Sequence, residues 1–173
     1  SIKLNTFYAP NLKECQVEAF LGCSNLKTVN LSQLQIVPPL CFCDCSNLQT
    51  AIFESCSTLK LGALQKCINL INVTLPLVSV AEPDIFNECG ALGEISMPLI
   101  SKIPNFCFAN CRNIKIFDIG TPTTIGEFAF LNCLGLIEAN FQNVTKINTG
   151  CFSNCLNLRK VYLPLISNIS SSA

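Results

Sequence analysis

Apolar and polar positions along the chain repeat every 22 residues, marked by Cys23, Cys45, Cys67, Cys89, Cys111, Cys133 and Cys155. Three residues before each cysteine stand Phe20, Phe42, Leu64, Phe86, Phe108, Phe130 and Phe152, mostly preceded by a small residue such as Ala19, Cys41, Ala63 or Ala129. Three residues after it come Leu26, Leu48, Leu70, Leu92, Ile114, Leu136 and Leu158. Six and eight residues after it lie pairs such as Val29 and Leu31, Ala51 and Phe53, Val73 and Leu75, and Ile95 and Met97. Two closing columns follow, one through Leu34, Cys56, Val78, Ile100, Val144 and Ile166, the other through Val37, Leu59, Ile103, Ile125, Ile147 and Ile169. Each unit reads, approximately, A-F-x-x-C-x-x-L-x-x-V-x-L-P-x-x-I-x-x-I. Self-similarity at this period is the signature of a stacked repeat, in which no unit buries its apolar side alone.

The pattern predicts two elements per unit. The small-Phe-x-x-Cys segment places apolar residues at i, i+1 and i+4, which suits one turn of α or 3-10 helix pressing a single face inward. The L-x-x-V-x-L segment ends in period-two alternation, which suits a short strand with one buried face. Stacking aligns these strands into a parallel sheet, one per coil, ended by Pro10, Pro76, Pro98 and Pro164, which lack the amide a ladder needs. A helical side bulkier than the strand side curves the stack and leaves the sheet concave. Outward positions on that sheet are Tyr8; Thr28 and Asn30; Ile52 and Glu54; Asn72 and Thr74; Glu94 and Ser96; Ile116 and Asp118; Glu138 and Asn140; and Lys160 and Tyr162. They vary while the inward columns do not, which marks this face as the expected partner-binding surface.

The columns resemble the BspA-like class of leucine-rich repeats, found in surface proteins of bacteria and protist parasites. The clearest units are Ile103-Pro-Asn-Phe-Cys-Phe-Ala-Asn-Cys111 and the run from Ile147 through Cys155 to Leu163-Pro164. Departures are local: Leu64 replaces the Phe, Pro122 falls in an apolar column, and Gly120 replaces the polar residue or Pro at a strand exit. The resemblance implies an α/β repeat solenoid, a curved leucine-rich repeat with one short parallel strand per coil and short α/3-10 turns on its convex side. It further implies a non-enzymatic module for recognition or adhesion, at the cell surface or secreted, with a protein or a glycan or matrix ligand. Residues 1–173 then form one domain of about eight coils, with Ser1 where a ladder cysteine would stand. Because the register starts and stops inside a repeat, the chain is expected to be a fragment of a longer array or to make end-to-end contacts.

Composition narrows the function. Eleven basic residues balance eleven acidic ones, charged residues make up 13% of the chain, and histidine is absent. Nucleic acid and anionic membrane both demand a concentrated positive field, so neither is an expected partner. No apolar run of 18 residues or more is present, and none is long enough to span a bilayer. Without histidine the usual nucleophile–base pairs cannot be assembled, and no glycine-rich phosphate loop occurs. The carboxylates Glu94, Asp118 and Glu138 read as solvated charge on a sheet face. Neither an enzyme nor a cofactor is expected.

Thirteen cysteines carry the remaining chemistry. Seven form the ladder column, Cys41, Cys107 and Cys151 sit in the small column, and Cys15 and Cys56 fall in the closing columns. Buried thiols behave as small hydrophobes with a weak S–H donor, so these twelve read as a structural ladder. The run Cys41-Phe-Cys-Asp-Cys45 lacks a second ligand pair at zinc-type spacing, so no metal site is expected. Cys43 stands in a mixed column with Leu21, Gln65, Asn87, Ala109, Leu131 and Ser153, and is expected to be the solvent-exposed thiol. Two localisations stay open. Asn30, Asn72, Asn143 and Asn168 head N-x-S/T sequons that suit a secreted protein; unpaired thiols instead suit an intracellular scaffold in a reducing compartment.

Overall fold

The computed structural model describes residues 3–172, apart from the side chains of residues 116–118. Ser1 therefore lies outside the described residues. Strands alternate between two series, numbered in chain order. The first series comprises β1 (Thr6–Tyr8), β2 (Thr28–Asn30), β4 (Thr50–Ile52), β6 (Asn72–Thr74), β8 (Glu94–Ser96), β10 (Ile116–Asp118), β12 (Glu138–Asn140) and β14 (Lys160–Tyr162). The second comprises β3 (Ile36–Val37), β5 (Thr58–Leu59), β7 (Val80–Ala81), β9 (Lys102–Ile103), β11 (Thr124–Ile125), β13 (Lys146–Ile147) and β15 (Asn168–Ile169). Every pairing is parallel and in register one coil apart, as in Thr28↔Thr50 and Ile125↔Ile147. The molecule is a stack of turns with two strand series along its length, so each coil carries two strands where the sequence pattern suggests one. Two residues are too few to show alternation, and the second strand reads in sequence as part of the closing I-x-x-I.

Among the described residues there is no helix, which corrects the expected α/3-10 turns. Two positions in every coil adopt positive φ. Five residues before the ladder cysteine these include Leu40 (53°), Gly62 (58°), Phe106 (54°) and Gly150 (61°); one residue before it they include Gly22 (66°), Lys66 (60°), Asn110 (62°) and Asn154 (57°). A left-handed residue ends helical propagation. The amides then alternate in direction. Leu40, Phe42 and Asp44 donate to the Leu61, Ala63 and Gln65 carbonyls of the next coil at 2.9 Å each, whereas Cys41, Cys43 and Cys45 donate back three residues to Pro38, Leu40 and Phe42. A helix would direct every amide back within its own coil. The turn segment is thus a third hydrogen-bonded ladder. It lacks the helical bulk from which a convex side was inferred.

Inside the three ladders lies one continuous apolar core, and among the described residues no polar or charged side chain is buried in it. The phenylalanine column stacks face to face, with Phe20–Phe42 centroids 4.9 Å apart, Phe86–Phe108 5.7 Å, Phe108–Phe130 5.4 Å and Phe130–Phe152 5.5 Å. Leu64 fills the same column between Phe42 and Phe86 and is fully buried, so it maintains packing while interrupting the stack.

The first sheet divides into β1-β2-β4-β6, β8-β10 and β12-β14, and the breaks follow one side chain. Two residues past the ladder cysteine the chain has Asn25, Asn47, Asn69, Ala91, Asn113, Gly135 and Asn157. Where asparagine is present its Nδ2 can tie the loop to the preceding coil: Asn47 donates to the Ser24 carbonyl at 2.6 Å, Asn69 to Ser46 at 2.8 Å and Asn157 to Leu134 at 2.8 Å. The two openings, β6/β8 and β10/β12, directly follow Ala91 and Gly135. There the loop backbone itself closes on the coil before. The Ala91 amide donates to Ile68 at 3.1 Å, and a Cβ at Gly135 would lie 2.9 Å from backbone atoms of Arg112, Asn113 and Ile114. The second sheet opens between β7 and β9 for a different reason. Lys60, Glu82, Gly126, Asn148 and Ser170 each donate an amide to the coil before, but the equivalent residue of the opened coil is Pro104, which has none to give.

Candidate recognition surface and thiol ladder

Apart from Glu54, two residues past β4, the outward positions of the first series belong to strands that stack about 4.8 Å apart within β1-β2-β4-β6, β8-β10 and β12-β14. Tyr8, at 70% exposure, and Tyr162, at 48%, stand at opposite ends. Between them Glu54, Asn72, Thr74, Glu94, Ser96, Glu138, Asn140 and Lys160 are exposed, and Thr28, Asn30 and Ile52 are half-buried. Ile116 and Asp118 belong to β10, but their side chains lie outside the described residues. Part of this polarity is already committed. Asn30 Oδ1 accepts from the Ser32 amide at 3.2 Å and its hydroxyl at 2.7 Å, and Gln142 donates to Asn140 Oδ1 at 2.9 Å. The described ion pair, Lys60 with Glu82 at 2.8 Å, lies off this face and holds the Glu82 carboxyl below its usual range through the hydrogen bond from Lys60.

Two concavities interrupt the face. One of about 280 Å³ is lined by Glu138, Ala139, Asn140, Lys160 and Tyr162. The other, about 370 Å³, occupies the β6/β8 opening between Ile71–Thr74 and Glu94–Ser96. Amide, carboxylate, ammonium and phenol groups in such shallow settings can bind and orient a polar macromolecular surface. The carboxylates Glu94 and Glu138 belong to coils separated by the coil of β10, so they do not form a close acid–base pair.

The ladder thiols have a repeated partner. Cys45, Cys67, Cys89, Cys111, Cys133 and Cys155 each donate S–H to a carbonyl one coil back, on Phe20, Phe42, Leu64, Phe86, Phe108 and Phe130, at 3.0–3.2 Å. Those carbonyls also accept an amide from the ladder cysteine of their own coil, so both lone pairs are used. Cys23 and Cys155, at the ends of the stack, are half-buried, and the five between them are fully buried. Burial pushes the Cys45 thiol up to about 12 and raises Cys67, Cys89 and Cys111 as well. Cys41, Cys107 and Cys151 are raised for the same reason. Such thiols are poor nucleophiles and poor metal ligands. Among the described residues no group of three metal-ligating side chains is assembled.

Cys43 differs from expectation. It is 9% exposed, its sulfur lies 3.9 Å from Gln65 Oε1 on the next coil, and burial raises its pKa. Its column ranges from Leu21 at 45% exposure to Ala109 at 0%, and at Cys43 the longer Gln65 side chain one coil on lies against the sulfur. Solvent access belongs instead to Cys15, Cys23 and Cys155.

Sequence reasoning missed a second side-chain stack on the turn side. Asn154 Nδ2 donates to Asn132 Oδ1 at 3.1 Å, Asn132 to Asn110 at 2.8 Å, and Asn110 to Asn87 at 3.1 Å. Asparagine immediately before three successive ladder cysteines was the available signal, since it tolerates the left-handed conformation better than most residues.

The family model for the BspA type leucine rich repeat region matches this chain in six copies, over residues 1–90 and 65–173. Solved structures share the fold. A leucine rich cell surface protein of Faecalibacterium prausnitzii superposes with a TM-score of 0.83 at 18% identity, over 92% of this chain and 47% of its own. The Treponema pallidum leucine rich repeat protein gives 0.66 at 23% identity, over 97% and 74%. A leucine-rich repeat protein of Bacteroides ovatus gives 0.52 at 16%, over 96% and 57%. This chain thus spans about half the length of the first of these. No curated protein matches it.

Proposed function

The chain belongs to the BspA-type leucine-rich repeat family, and from that premise we propose that it is a non-enzymatic binding module, displayed at the cell surface, that recognises a protein or glycan of its surroundings through the outward face of the first strand series. The observation that carries this reading is the contrast between columns. Inward positions repeat Cys, Phe, Leu and Ile almost unchanged, whereas one outward column runs Tyr8, Asn30, Ile52, Thr74, Ser96, Asn140, Tyr162. A laddered backbone holds these varied groups at fixed spacing, which lowers the ordering cost of binding. Aromatic residues among polar ones are the composition of interface anchors.

The test is binding of the full chain to a panel of purified matrix glycoproteins by surface plasmon resonance. Tyr162→Ala combined with Lys160→Ala should weaken the interaction at least tenfold while leaving the circular dichroism unchanged. Undiminished binding by that variant would place the site on another face. A second reading, an intracellular scaffold, is favoured by the thirteen unbridged thiols, which a reducing compartment protects. Antibody labelling of intact against permeabilised cells separates the two: signal confined to permeabilised cells rejects surface display.

A further inference from the structure

The opening that follows Gly135 has a chemistry of its own. A groove of about 300 Å³ is lined by Lys115, Leu134, Gly135, Ile137, Asn157 and Arg159. It crosses three coils. Lys115 comes from one coil, Leu134, Gly135 and Ile137 from the next, and Asn157 and Arg159 from the third. Both cations are exposed, and they stand on the coils either side of the coil of Gly135. The floor is aliphatic, with Ile137 49% exposed, and the Asn157 carboxamide is held in place by its bond to the Leu134 carbonyl. No acidic side chain lines the groove, although the chain as a whole is electrically balanced.

We propose that this groove binds a saccharide unit carrying a carboxylate or a sulfate. An apolar lining with a few convergent polar groups is the usual form of a small-ligand site. Ile137 and Leu134 offer a surface for the C–H face of a sugar ring, and Asn157 offers an amide to its hydroxyls. Lys115 and Arg159 supply charge at two places along the ring or across a glycosidic link, and Arg can hold a planar or tetrahedral anion through paired N–H groups. Gly135 lets the floor of the groove pack directly on the backbone of the coil before, where a Cβ would lie 2.9 Å from Arg112, Asn113 and Ile114. Where Asn47, Asn69 and Asn157 occupy this position, the carboxamide ties the loop and the adjoining strands stay paired. The site lies beside the face proposed above and uses neither Tyr162 nor Lys160, so either proposal can fail alone.

Calorimetric titration of the full chain with a sulfated disaccharide, a uronate-containing disaccharide, a neutral disaccharide of the same size and sodium sulfate tests it. At least one anionic disaccharide should bind tenfold or more tightly than the neutral one and than sulfate, and the two anionic arms decide which group is read. Lys115→Ala with Arg159→Ala should weaken that binding at least tenfold, whereas Lys102→Ala with Lys146→Ala on the second sheet should leave it intact. Affinity should also fall as salt is raised, since the contacts are exposed charges. Equal binding of the neutral sugar, equal binding of sulfate alone, or indifference to the double substitution would each overturn the proposal.

Discussion

Raising the pH should unfold this protein far more abruptly than most. Nine thiols are completely buried, and in eight of them, Cys41, Cys45, Cys67, Cys89, Cys107, Cys111, Cys133 and Cys151, the pKa is raised furthest, chiefly by burial and at Cys133 first by its hydrogen bond with Cys155, which lowers Cys155 in turn; the ninth, Cys56, is raised by burial as well. In the unfolded chain the same groups ionise near the ordinary thiol value of about 8.5–9. The sign follows directly. A group whose folded pKa lies above its unfolded one contributes stability that is fully present below the unfolded pKa and is lost as pH rises beyond it, because only the unfolded state can release the proton. Each thiol then removes about 0.4–0.8 kcal/mol at pH 9 and about 1.4–2 kcal/mol at pH 10. Eight together remove about 11–16 kcal/mol by pH 10, as much as the entire stability of a typical domain. Urea midpoints should be flat from pH 6 to 8, fall steeply above pH 9 and vanish near pH 10. Thiolate absorbance near 240 nm should rise in the same step as the loss of circular dichroism. Replacing Cys67, Cys89 and Cys111 with Ala should reduce the slope from about eight protons released on unfolding to about five. Midpoints that hold steady to pH 10, or titration of these eight buried thiols near 9 with the fold intact, would refute the reasoning.

Other perturbations bear on single columns. Asn47→Ala removes the 2.6 Å bond to the Ser24 carbonyl and should cost about 1 kcal/mol; Ala91→Asn should gain about 0.5–1 kcal/mol and slow amide exchange at Gly93 and Glu94 by closing the β6/β8 opening, both read by denaturant titration and hydrogen exchange. Gly62→Ala should destabilise by about 1–2 kcal/mol, since φ is 58° and a Cβ would meet Leu40 Cδ2 at 2.8 Å, whereas Asn154→Gly, also at positive φ, should cost less than Asn154→Val in the same thermal melt. Under native conditions an aromatic disulfide reagent should label Cys15, Cys23 and Cys155 first and Cys43 slowly, with all thirteen cysteines reacting after unfolding; mass mapping of the labelled peptides checks the order.

The inward columns and the first strand series were legible because coils that stack must present like residues to one another, and the period exposes them. The turn segment was not. Apolar residues at i, i+1 and i+4 report which side chains face inward and say nothing of where the amides point, so a helical turn and a ladder of left-handed turns leave the same trace. Gly22, Gly62, Asp84, Asn110 and Gly150 signalled the left-handed positions, but Leu40, Phe106 and Phe128 occupy them too and hide the column. Phe106 and Phe128 stack at 5.3 Å, and a Cβ at Gly150 would meet the Phe128 ring; such packing between successive coils overrides the local preference. Cys43 was misread because its cover comes from Gln65, 22 residues away, and the outward columns of a solenoid shield one another in ways a single unit does not reveal.

The division between fixed and varied columns also explains the choice of cysteine. A ladder residue must fill apolar space and offer a donor to a carbonyl already bound to one amide. Alanine or valine would supply the packing without the donor, and serine would supply the donor while burying lone pairs that have no partner. A thiol meets both demands weakly, and repetition over six coils makes the sum large. The loops are tied by asparagine in the same modular way, and where that residue is missing the adjoining strands part. Ala91 precedes the groove between β6 and β8, and Gly135 precedes the groove between Lys115 and Arg159. With all seven asparagines the sheet would present an even ladder; losing one opens a concavity at a chosen coil without disturbing the core, since the turn-side ladder continues past the first opening through Asp84, Phe86 and Glu88. Relief on the sheet thus coincides with the omission of a structural side chain at a single repeat.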